Sequence, residues 1–134
     1  MADPLVIDTC ALRHKDFLSW LVHYRGRKIL PAVAYCEFCF HMVVLRRKTI
    51  NDANYILRCS GIEVEDFTKN LGSNVAFNCR GMDEPDFRRD WRDYMIGAHA
   101  SIAPLKLITD NIDHFTFLGD RVFEPHAFMK KEHS

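Results

Sequence analysis

The chain opens on an uninterrupted apolar run, Leu5-Val6-Ile7, that stops at an ionisable residue, Asp8. Successive strand side chains point to opposite faces, so three apolar residues in a row call for cover on both sides of the strand. A sheet with one wet face would show alternation instead. The short run returns at Lys28-Ile29-Leu30 and from Leu105 to Thr109, with helical periodicity between. Phe17, Trp20, Leu21 and Tyr24 recur at helical spacing, and Gly26 closes that helix. Pro31 fits the first turn of a second helix running to about Arg47. Thr49 caps a third, with Ala53, Ile56 and Leu57 facing inward. Ile62-Glu63-Val64 alternates like a strand beside solvent, and a short helix from Glu65 to Leu71 ends at Gly72. Residues 72–82 read as loop with at most one helical turn. Asp83-Glu84-Pro85 opens a long helix to about Ile102, its acids at the positive end and Pro104 beyond it. Asn111 to Leu118 reads as a turn or short helix, and Val122-Phe123 as a final edge strand. Alternating strands and helices predict an α/β domain of three layers, α/β/α, around a central, mainly parallel sheet.

At 134 residues the chain, 1–134, has the size of one domain, and 48% hydrophobic residues suffice for a core. The longest apolar run, Ala32 to Leu45, is broken by Glu37 and His41 and is too short and polar to span a bilayer. No basic region followed by an apolar segment marks export, and five cysteines, an odd number, read as reduced thiols in the cytoplasm. Cys36 and Cys39 form a lone C-x-x-C inside a helical stretch, which reads as small buried hydrophobes rather than a zinc site. Eighteen basic and eighteen acidic residues cancel, which excludes a general nucleic-acid coat but not an enzyme that grips nucleic acid locally. The basic triplets Arg25/Arg27/Lys28, Arg46/Arg47/Lys48 and Arg88/Arg89/Arg92 read as solvated helix faces or ends, or as local contacts to nucleic acid.

Two strands end in acid, at Asp8 and at Asp110, and open parallel sheets place their sites beyond such carboxyl ends. Asp8 serves either as a cap or as a site acid, and Cys10 at the second following position argues against a phosphoaspartate D-x-D enzyme. Glu37 is the one formally charged residue between Pro31 and Leu45, on a helix apolar all round and therefore expected to be buried. A carboxylate there needs either an arginine or a metal ion. His41 shares its face, as an outer partner or a core histidine. Asp93 heads a small apolar stripe, Ile96, Gly97 and Ala100, that would carry it to the end of the sheet. Asp86 and Asp90 sit among arginines, where exposed pairs account for them. Thr109-Asp110-Asn111-Ile112-Asp113 is by itself a polar turn.

Together these acids suit magnesium or manganese, hard cations that take oxygen ligands. The order V-I-D-T, a Glu on the second helix, D-x-x-I-G-A-x-A and L-I-T-x-N-x-x-x-F resembles the PIN domain, closest to VapC-type toxins of toxin–antitoxin pairs, over essentially the whole chain. The resemblance implies a ribonuclease whose metal, Mg2+ or Mn2+, is held by Asp8, Glu37 and Asp93, with Thr9 supporting them by hydrogen bonding. The family's own positions for a fourth acid carry Asn111 and His114 in this chain. Asp110 and Asp113 flank them, and Asp110, which directly follows the strand, is the preferred fourth acid, with Thr109, Asn111 and Asp113 supporting. It implies RNA as substrate, an antitoxin partner and a homodimer. A PIN-type nuclease of ribosomal RNA maturation and a degenerate scaffold module are the alternatives. Crowded acids repel, so Asp8→Asn is expected to leave the metal-free protein at least as stable. A buried salt bridge at Glu37 would instead make Glu37→Gln cost roughly 3 kcal/mol or more.

Overall fold

The computed structural model describes residues 2–133. Five parallel strands form one sheet: β1 (Leu5–Ile7), β2 (Lys28–Pro31), β3 (Ile62–Glu65), β4 (Lys106–Ile108) and β5 (Val122–Phe123), in the order β3-β2-β1-β4-β5. Leu5, Val6 and Ile7 have no exposed surface, so the central strand is covered on both faces and the architecture has three layers. β1 pairs Val6 with Ile29 on one side and with Leu107 on the other. The chain thus winds outward from β1 in both directions, and the strand order reverses between β1 and β4. A reversal of this kind opens a crevice at the strands' carboxyl ends.

Six α-helices cover the sheet: α1 (Lys15–Leu21), α2 (Ala32–Phe40), α3 (Ile50–Cys59), α4 (Lys69–Asn78), α5 (Glu84–Ser101) and α6 (Pro125–Glu132). Two 3-10 segments, Thr9–Arg13 and Ile112–Arg121, follow β1 and β4. The caps are those the sequence predicts: Thr49 and Asp52 form a reciprocal capping box on α3, and Asp83 accepts from the Asp86 amide ahead of Pro85 on α5. The stripe on α5 also behaves as expected, with Ile96, Gly97 and Ala100 buried. A Cβ on Gly97 would collide with the Phe117 ring, so glycine lets α5 lie directly on the second 3-10 segment.

Five expectations change. Residues 72–82 are not loop, because most of α4 falls there. Thr68 caps it, and Leu71, Val75 and Cys79, spaced four apart, bury against Ala98. Gly72 and Ser73 weaken the helical signal locally, but this apolar face outweighs them. The short helix expected from Glu65 accordingly starts later, Glu65 itself closing β3. Pro31 is the last residue of β2 rather than the first of α2, extended at φ −56° and ψ 144°. α2 is not buried all round either. Phe40 at its end is exposed, and it runs into a π-helical turn, His41–Leu45, on which Val44 and Leu45 are exposed. Finally, the C-terminus carries α6, which the sequence reading did not assign. Phe128 anchors it, fully buried and edge-on to Trp20 at 5.8 Å. No helix among the described residues is long and apolar enough to cross a membrane.

Candidate functional site

The parallel ladder continues one residue past β1, the Asp8 amide donating to the Ile108 carbonyl at 3.0 Å. That bond fixes Asp8 beside the end of β4. Its side chain has no exposed surface and is held by several donors. The Thr9 amide donates to Oδ1 at 2.8 Å and the Thr109 hydroxyl to Oδ2 at 2.8 Å. The Cys10 thiol lies 3.5 Å from Oδ2. The cap reading of Asp8 holds: its side chain accepts from the Thr9 amide at the start of the first 3-10 segment.

The Thr9 hydroxyl lies 2.9 Å from Glu37 Oε1 and 3.0 Å from the Ala34 carbonyl, so the residue after Asp8 orients the acid on α2. Asp93 reaches the same place from α5. Asp8, Glu37 and Asp93 thus converge, and the group at their centre is the Arg92 guanidinium. Arg92 Nη2 donates to Asp8 Oδ1 at 2.8 Å and to Glu37 Oε1 at 2.6 Å. Nε donates to Glu37 Oε2 at 2.7 Å, completing a two-pronged grip, and Nη1 donates to Asp93 Oδ1 at 2.7 Å. Burial disfavours the charged guanidinium. The hydrogen bonds to Glu37, the charges of Asp8 and Glu37 and the bond to Asp93 more than offset it, so the pKa of Arg92 lies above its ordinary value. His114 Nδ1 stands 3.4 Å from Asp93 Oδ2 on the far side.

The triplet Arg88/Arg89/Arg92 is not solvated throughout, because Arg92 turns inward onto the three acids. Arg88 and Arg89 do stay outside, paired with Glu84 and with Asp86 and Asp90. A signal for the difference exists in the sequence. Arg88 and Arg89 have acids three or four positions away on the helix, whereas Arg92 has Arg88, Arg89, Met95 and Ile96. An arginine without a partner on its own helix face must find one elsewhere. The alternatives left open for Glu37 are likewise decided in part, because an arginine does pair with it.

The polar turn after β4 divides. Thr109 is buried on Asp8, and the Asn111 amide donates to the Thr109 hydroxyl at 3.0 Å. Asp110 points away from the ring, with His14 Nε2 at 2.9 Å from both of its oxygens, and Asp113 is exposed. The Asp110 amide donates to Cys10 Sγ at 3.2 Å. Burial first, then the charge of Asp8, pushes the Cys10 thiol above its ordinary pKa, so it adds no negative charge at neutral pH. A cleft of about 700 Å³ opens over Thr9, Glu37, Arg92, Asp93, Asn111 and His114, with His41 on its wall. A second hollow of about 510 Å³ lies on the other side of His41, between the first 3-10 segment and α3, lined by Leu12, Phe38, Met42 and Ile56.

No family model matches the sequence, and no curated protein matches it either. Solved structures do match in fold. A chain of a toxin–antitoxin complex from Klebsiella pneumoniae superposes with a TM-score of 0.65 at 14% identity, covering 90% of this chain and 97% of that one. A chain of VapBC-1 from nontypeable Haemophilus influenzae gives 0.61 at 15%, covering 90% and 96%. One of VapBC2 from Rickettsia felis, bound to a DNA fragment from its promoter, gives 0.60 at 17%, covering 90% and 97%. The α/β architecture with its five-stranded parallel sheet is thus the PIN-like fold of these chains.

Proposed function

We propose that the chain is a divalent-metal-dependent endoribonuclease of the toxin type, in which Asp8, Glu37 and Asp93 hold magnesium or manganese. The observation that carries this reading is the convergence of three acids from three separate elements at the reversal of strand order, where α/β sheets bind ligands. The donor set fits a hard cation: the ring offers carboxylate oxygens, and three carboxylates share a single guanidinium, leaving negative charge in excess. Such a metal, when bound, supplies an activated water and stabilises the leaving oxygen of a phosphodiester.

The chain's own residues prepare the place. Thr109 and the Thr9 amide hold Asp8 in one orientation, and the Thr9 hydroxyl holds Glu37. Arg92 keeps the ring closed until metal arrives, a tethered cation that has to release at least part of its grip. The cleft above the ring, flanked by His114 and Asn111, receives the RNA. Asp110, paired with His14, has no part in holding metal on this reading. The neighbours in fold come from toxin–antitoxin complexes, so the partner proposed is a small antitoxin protein. The exposed ridge of Phe40, Val44 and Leu45 beside the cleft is the apolar surface it would cover.

A specific observation favours a second reading. The same guanidinium that satisfies the ring could hold it permanently, leaving a PIN-like scaffold without turnover. One experiment separates the two. Purified protein is given a panel of RNAs with magnesium, manganese, calcium or excess chelator. Cleavage is expected with the first two, poorly with calcium and not in chelator, and is expected to be lost in Asp8→Asn. Full activity in chelator would end the metal reading. Inactivity of both wild type and Arg92→Ala in every metal would establish the scaffold.

A further inference from the structure

Asp110, turned away from the ring, belongs to a different group of side chains. His14 stands at the entrance of α1, Asp16 in its first turn, and His126 in the first turn of α6. One ligand atom from each of these three lies within 4.8 Å of the other two. His126 Nε2 is 2.6 Å from Asp16 Oδ2, and the two imidazoles meet edge to face with centroids 5.2 Å apart. An exposed ion pair accounts for either histidine alone. It does not account for two imidazoles brought together across the sequence with a carboxylate on each.

We propose that His14, Asp16 and His126 form a second cation site, for a late first-row divalent ion such as zinc, separate from the carboxylate ring and independent of the nuclease reading. The donor types differ as the two classes of metal do: carboxylate oxygens around Arg92 suit magnesium or manganese, while imidazole nitrogens with one carboxylate suit zinc. Three protein ligands leave the fourth tetrahedral position open to water or an outside donor. Asp110, on Nε2 of His14, is the outer carboxylate that metal-bound histidines commonly carry, and it leaves Nδ1 of that ring for the ion. Zinc bonds of about 2.0–2.2 Å require the ligand atoms to close in from their present spread. Side-chain exposures of 31% for His14, 58% for Asp16 and 53% for His126 leave them room to do so. The ion takes the place of the hydrogen bond between His126 and Asp16, and His126 binds it through an unprotonated ring nitrogen. A bound ion ties α6 to the start of α1, adding a polar clasp to the contact that Phe128 already makes with Trp20 and Tyr24.

The test is calorimetric titration of zinc chloride into the full chain carrying Cys36→Ser and Cys59→Ser, which removes the exposed thiols. One zinc per chain is expected, with a dissociation constant on the order of micromolar and a rise in melting temperature. His126→Ala and, separately, Asp16→Asn are expected to weaken binding roughly tenfold or more, while Glu37→Gln leaves it unchanged. Both altered residues are exposed, and a circular dichroism spectrum verifies that each variant is folded. Absence of zinc binding overturns the proposal, as does binding that neither His126→Ala nor Asp16→Asn weakens. Zinc lost only in Glu37→Gln also overturns it, and would place the ion in the carboxylate ring instead.

Discussion

Around Arg92, three carboxylates from β1, α2 and α5 are closed on an internal cation, with Asp8 wholly buried. Around His126, two imidazoles and two carboxylates lie half in water and pair with one another, His14 with Asp110 and His126 with Asp16. The first group is part of the packing, so changing it has to disturb the fold. The second is laid over a contact that aromatic side chains already make. Charges of similar number thus carry different energies, because the ring is anchored on a buried Asp8 and a largely buried Asp93, whereas the cluster has no buried member.

The largest effect is expected from Arg92→Ala. Removing the guanidinium leaves three carboxylates facing one another, and urea unfolding in chelator should register a loss of about 3 kcal/mol. Manganese should stabilise that variant more than the wild type, since no tethered cation competes with it. Unchanged stability in chelator would mean that the ring is as wet as the cluster, and the contrast would fall. Asp8→Asn comes next. The expectation from the sequence, that relief of repulsion makes this change harmless, is reversed by Arg92. Loss of a charge-assisted hydrogen bond at a buried site should cost about 2 kcal/mol. A variant equal to wild type in chelator would restore the repulsion account.

Smaller again is His126→Ala without metal, for which the same measurement should find less than about 1 kcal/mol, the range of exposed ion pairs. A greater loss would make the cluster structural in its own right. The finest comparison is chemical. Cys10 lies between the two groups, and its raised pKa keeps it a thiol at pH 8, so iodoacetamide should modify Cys36 and Cys59 well before Cys10. Peptide mass mapping gives the order, and a fast Cys10 would contradict its burial against Asp8.

How far these sites can be read in the sequence depends on whether their cause is local. Asp8 ends an apolar run and Asp93 heads an apolar stripe, so each position is visible along the chain, and both acids reach the ring. Glu37 was singled out on the premise that α2 is buried all round, yet Phe40 and Leu45 are exposed and Glu37 faces the cleft. Arg92 is legible only by what its helix fails to offer it. The cluster leaves no local trace at all, since 110 positions separate Asp16 from His126 and the turn that joins them is tertiary. The same holds for α6, whose eight residues are weakly helical by themselves and owe their place to Phe128. The helix within residues 72–82 was missed for another reason: Gly72 and Ser73 masked an apolar face that only Ala98 on α5 completes.

The order of the strands has a consequence for the birth of the molecule. β1 is made first but lies in the middle of the sheet, and its second neighbour, β4, ends only at Ile108. The hydroxyl that holds Asp8 is 101 positions downstream of it, and the guanidinium 84. Contacts so distant in the chain form late, once the intervening segment has been supplied. A nascent chain therefore carries its first acid without the partners that aim it until those distant residues have been made. An activity directed at RNA would then be withheld from the message and the ribosome until Arg92 and Thr109 have both been made.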